Sequence, residues 1–107
     1  MKRRDVESPL FSVPISIFVG GNHEAVNKAL KTEAFVVPNR RGGVAFHDDG
    51  HVILYVVKRN DLKTMCHESV HAANFVLKFA GVEVDTSNDE TLAYLTEWIF
   101  GQLLEVR

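Results

Sequence analysis

Apolar residues along the chain change their spacing several times, and each change predicts an element. Leu10 to Val19 alternates fairly well, with Leu10, Val13, Ile15, Ile17 and Val19 apolar and Ser12 and Ser16 polar. That is a strand pattern, and Pro14 suits an edge position or a strand start. Gly20-Gly21-Asn22 reads as a turn with Asn22 as N-cap, and Glu24–Lys31 as a short amphipathic helix with Val26, Ala29 and Leu30 inward. Phe35-Val36-Val37 predicts a brief strand stopped by Pro38. Val44–His47, the turn Asp48-Asp49-Gly50, and His51–Val57 predict a hairpin. Residues 1–8 are polar and are expected to be flexible.

The spacing then becomes helical and stays so to the end of the chain. A helix is predicted from Leu62 to Phe79, capped by Asn60 or Asp61 and closed at Gly81. Its apolar side is Leu62, Met65, Ser69, Ala72, Val76 and Phe79, with Ala73 and Ala80 beside it. A polar loop, 82–89, leads to a second helix over about Glu90–Glu105, in which Trp98 and Phe100 are expected in the core. Three or four strands with two long helices define an α+β class, a small antiparallel or mixed sheet packed on the helices. At 107 residues the chain is expected to form one domain, 1–107.

On the polar side of the first long helix lies His67-Glu68-Ser69-Val70-His71. Residues four apart on a helix share a face, so the two imidazoles suit two corners of a tetrahedral zinc site. Glu68, about 100° further round, stands beside the metal position, where it can take a proton from a metal-bound water. A third protein ligand is needed. Glu90, at the start of the next helix and 19 residues after His71, is the expected one, with Asp89 the competing carboxylate. Tyr94 or Glu97 can orient a ligand histidine, or Tyr94 can donate to an oxyanion.

His67-Glu68-x-x-His71 followed by Glu90-x-x-Ala93-Tyr94 on the next helix resembles the gluzincin zinc metallopeptidases. In size the chain looks like their shortest members, the minigluzincins, and like small peptidases encoded by phages and mobile elements. The resemblance implies a minimal zincin-like domain whose edge strand aligns a peptide substrate. It also implies Zn2+ on His67, His71 and Glu90, with Glu68 as general base. Four residues after Glu90, where many gluzincins carry an acid, this chain has Tyr94.

Composition narrows the alternatives. A net charge of −2 argues against a general nucleic-acid binder, and Lys2-Arg3-Arg4 and Arg40-Arg41 read as solvated charge. One cysteine, Cys66, excludes an intrachain disulfide and fits a reducing compartment; it reads as a half-buried free thiol. With no signal-peptide pattern and no spanning apolar run, a cytoplasmic protein is expected, in the host cytoplasm if phage-encoded. His23, His47 and His51 are expected on the surface or in the hairpin, His47 and His51 forming at most a weak accessory metal site. The expected partner is a peptide or protein substrate, with no nucleic acid and no membrane. The competing readings are a catalytically weak or latent zinc-binding protein acting through a partner, and a zinc hydrolase acting on another amide.

Overall fold

A computed structural model describes residues 1–31, 36–47 and 49–107. The order of elements is β1 (Lys2–Glu7), β2 (Pro14–Val19), α1 (His23–Ala29), β3 (Gly42–Phe46), β4 (Val52–Val56), α2 (Leu62–Phe79) and α3 (Asp89–Val106). The strands form one mixed sheet in the order β1-β2-β4-β3. β2 and β4 run parallel in the middle, and β1 and β3 pair antiparallel on the two outsides. The class is therefore α+β.

The central strands are buried on both faces, which is why their sequences are nearly continuous apolar runs. One parity, Ile15, Ile17 and Val19 with Val52, Leu54 and Val56, packs under α2 and α3. Met65, Ala72, Ala73 and Val76 of α2 and Leu95, Ile99 and Leu103 of α3 complete this main core. Each fully buried aliphatic side chain of this kind stabilises the fold by about 1.5–3 kcal/mol. The other parity, Phe18 with Ile53 and Tyr55, packs against Val26 of α1 and Val36. α1 is capped as the sequence predicts, by the Asn22 side chain accepting from the Ala25 N–H at 2.9 Å.

Several expectations need correction. Residues 1–8 hold a strand: β1 pairs with β2 over its whole length, from Lys2 opposite Val19 to Glu7 opposite Pro14. Its half-buried positions are Arg4 and Val6, and Arg4 donates to Glu105 at 2.7 Å and Gln102 at 3.1 Å of α3. β2 begins at Pro14, not Leu10, because the preceding residues form a tight loop. There Phe11 and Ser12 have φ of 70° and 49°, and the Ser8 hydroxyl accepts from the Val13 N–H. The strand expected at Phe35–Val37 starts outside the described residues, and Val36 and Val37 are not in a strand; Asp48 of the predicted turn also lies outside them. No helix among the described residues is long and apolar enough to cross a membrane.

α2 matches its predicted bounds, and both ends show why. The Asp61 carboxylate accepts from the Thr64 N–H at 3.2 Å and from the Thr64 hydroxyl at 2.6 Å. At the other end Gly81, with φ of 77°, donates to Lys78 O, and Val82 donates to Leu77 O, the paired bonds of a Schellman turn. Within α2 the buried Ser69 hydroxyl is satisfied by Met65 O at 2.6 Å. The buried stripe includes Leu77, while Leu62 and Phe79 at the two ends are about half exposed. Phe79 instead stands edge-on to Phe46 of β3, which stacks on Phe75 at 5.3 Å.

Candidate metal centre

His67 and His71 project from α2 on the side away from its buried stripe, and both are exposed. Their Nε2 atoms lie 3.2 Å apart, with ring centroids 4.8 Å apart and planes at 69°. Two nitrogens each 2.0–2.1 Å from a tetrahedral zinc must be about 3.3–3.4 Å apart, so the pair already has the bite such an ion needs. Without an ion the same approach requires one ring to donate and the other to accept.

Glu68 sits on the β3 side of the pair. Its side chain is only 12% exposed, against 68% for His67, and Oε1 lies 3.9 Å from His67 Nε2. That is beyond hydrogen-bond range but close enough for a water to bridge. A partly desolvated carboxylate beside two solvent-facing imidazoles suits proton transfer, because it is reached from one direction only. Glu68 is also felt by Tyr55: burial raises the Tyr55 hydroxyl above its ordinary pKa, and the Glu68 charge adds to that rise. Tyr55 donates its proton to Val37 O at 2.9 Å.

Glu90 and Tyr94 are both exposed on the first turns of α3, Tyr94 at 48%. The groove between α2 and α3 is lined by Cys66 and Val70 on one side and by Asp89, Ala93 and Glu97 on the other. Asp89 lines this groove, and Glu90, exposed at the next position of α3, is not among its lining residues. Among the described residues no three His, Cys, Asp or Glu side chains gather around one point. The histidine pair fits zinc in type and spacing, and Glu68 lies beside His67. Cys66 is exposed, not half-buried, because its direction on α2 opens onto that groove.

Sequence reasoning missed the other wall of the site. A cleft of about 250 Å3 beside His67 and Glu68 is completed by Asn39, Arg41, Lys63 and Thr64. Lys63 was legible, since it is four residues before His67 on the same stripe. Arg41 was not, because only the packing of β3 beside α2 brings it there. Of the remaining histidines, His51 Nε2 meets the hydroxyl of the buried Ser16 at 2.8 Å, and His47 pairs with His51 through the backbone.

No known family model matches the chain, and neither a curated protein nor a solved structure matches it.

Proposed function

We propose that the chain is a zinc-dependent metallopeptidase of minimal zincin-like form, with zinc held by His67, His71 and Glu90 and with Glu68 as general base. The observation that carries this reading is the His67–His71 nitrogen pair at 3.2 Å beside the shielded carboxylate of Glu68. A zinc held by these residues would supply a water of lowered pKa and a Lewis acid for the scissile carbonyl. Glu68 accepts the proton of the attacking water and passes it to the leaving amine. Tyr94 serves as donor to the oxyanion or as the group that orients a ligand histidine.

The sheet edge next to the site supports a peptide as substrate. In the β3–β4 pair, Val57 donates to Arg41 O and His47 donates to His51 O. Alternation along an antiparallel ladder then turns the backbone groups of Val44 and Phe46, and the carbonyl of Gly42, outward. An extended peptide can pair with them. β3 carries no charge in Gly42-Gly43-Val44-Ala45-Phe46, whereas the opposite edge, β1, is five-sixths charged and blocked against pairing.

The test is zinc content together with cleavage of an unfolded protein. Glu68→Gln keeps the metal and loses cleavage by about 100-fold or more; His67→Ala loses both. Unaltered zinc in His67→Ala sinks the assignment. The exposure of both histidines and of Glu90 favours one other reading, a catalytically weak or latent zinc-binding protein that acts on a partner. A fourth metal position filled by a protein atom, with no cleavage, selects that reading over the peptidase.

A further inference from the structure

The cleft beside Glu68 has a lining of unusual polarity for a chain of net charge −2. Arg41 and Lys63 line it as cations, and among the described residues Glu68 is its one carboxylate. A second cleft shares Arg41 and adds Arg40, Lys58 and Asp61. Among the described residues the two together hold four cations and two carboxylates, a local excess of positive charge in a chain that is negative as a whole.

The polar groups are also turned as donors. Asn39 Oδ1 is taken up by the N–H of Arg41 at 2.9 Å and of Gly42 at 3.4 Å, which leaves its amide Nδ2 for the cleft. The Thr64 hydroxyl is committed to Asp61. Asp61 also accepts from Arg41 Nε at 3.4 Å and Nη2 at 3.3 Å, which leaves Nη1 outside that pair. A guanidinium, a lysine ammonium and an amide N–H on one small cleft are donors of the kind that a carboxylate accepts from. Among the described residues the lining holds no Phe, Tyr or Trp ring, and His67 is its one ring on which a nucleic-acid base could stack.

We infer that this cleft, with Arg41, Lys63 and Asn39 as its donors, is a subsite for a carboxylate of a peptide substrate. The inference deepens the peptidase reading and rests on it for the peptide being cut. Lys63 lies one helical turn, about 5.4 Å, from His67. An extended chain covers about 3.3–3.6 Å per residue. The carboxylate therefore belongs one or two residues from the bond that is cleaved. It comes either from an Asp or Glu side chain or from the C-terminus of the peptide.

The test uses the wild-type protein, stripped of metal by a chelator and dialysed, so that it binds without cutting. Acetylated alanine peptides carrying one Glu or one Gln, each ending in an acid or an amide, are titrated by calorimetry. Peptides with a carboxylate should bind about tenfold more tightly than the Gln amide peptide, and the gap should narrow as salt rises. A gain from Glu alone identifies an acidic residue as the source; a gain from the acid terminus alone identifies the chain end. Arg41→Ala and Lys63→Ala should bring the ratio to about one, while Lys78→Ala, further along α2, leaves it unchanged. Equal affinity for all the peptides overturns the subsite, as does stronger binding of a short oligonucleotide at the same cleft. Zinc-dependent cleavage with equal affinities removes the subsite and keeps the peptidase. A carboxylate preference with neither zinc uptake nor cleavage does the reverse.

Discussion

α2 and α3 have the same length, 18 residues each, and lie side by side on the sheet, yet they are held in different ways. α2 is fixed at both ends by bonds of its own: the Asp61 cap at the start and the Schellman turn at Gly81. α3 begins at Asn88 with no side-chain cap. Asn88 instead turns back into the loop, accepting from Asp85 N at 2.7 Å and donating to Glu83 O. The first turn of α3 then carries two exposed carboxylates, Asp89 and Glu90. The histidine pair therefore rides on the firmly terminated helix, and the carboxylate assigned to complete it rides on the loosely started one. On the proposed zinc reading, the pair would set the position of the ion and the third ligand would come to it.

The largest expected effect tests whether packing alone holds α3. Leu95, fully buried, is the first core residue of that helix. Leu95→Ala should cost about 2–5 kcal/mol, the usual range for a buried Leu. It should also speed amide exchange in the first half of α3 while leaving the centre of α2 at the rate set by global unfolding. Equal acceleration in both helices would mean that they open as one unit and that the difference in their ends has no consequence.

Next comes the response to zinc. Structural zinc sites with four ligands bind with about 10–16 kcal/mol, so one ligand is worth about two to three powers of ten in affinity. His71→Ala and Glu90→Ala should each lower zinc affinity by that much, and Asp89→Ala by far less. Zinc should also slow amide exchange over the first turn of α3. Zinc bound tightly with no change there, or a loss on Asp89→Ala in place of Glu90→Ala, would move the third ligand off Glu90.

A smaller effect concerns the α2 cap. Hydrogen bonds from Thr64, then from Arg41, lower the Asp61 pKa from 3.8 to about 2. A carboxylate with a depressed folded-state pKa adds stability that is complete above its unfolded value and is lost as pH falls through the folded one. The contribution of Asp61 should therefore disappear between about pH 4 and pH 2. Asp61→Asn should lower the melting temperature by a few degrees at neutral pH and less at pH 2, which gives a flatter acid limb. An unchanged acid limb would show that the cap is not formed by the ionised carboxylate.

What was legible in the sequence follows the same division. α2 could be read to its terminal residues because its ends are made by local signals, an Asp three residues before its Thr64 partner and a Gly just past the last turn. The hairpin of β3 and β4 and the coarse α+β class were also readable, since period and turn chemistry are local. β1 was not, because its one apolar residue is Val6 and its inward cation, Arg4, finds its partners 98 and 101 residues away. For the site, the spacing of His67 and His71 fixed their common face. The choice between Asp89 and Glu90, and the arrival of Arg41 beside Lys63, depend on how elements rotate against one another, which no spacing within one element specifies.

The smallest effect lies at the junction of the two helices. Gly81 has φ of 77°, and a Cβ built there meets no atom within 4 Å. Any cost of Gly81→Ala is therefore conformational and not steric against a neighbour. A left-handed backbone costs an L-residue about 1 kcal/mol, so Ala should lower stability by about that much in denaturant unfolding, with no change in m. Gly81→Asn should cost less, since Asn tolerates this region better than Ala. If Ala proved as stable as Gly, the Schellman turn would not be the end of α2 in solution. The chain would then leave that helix at a different residue and bring α3, with Glu90, back along a different line.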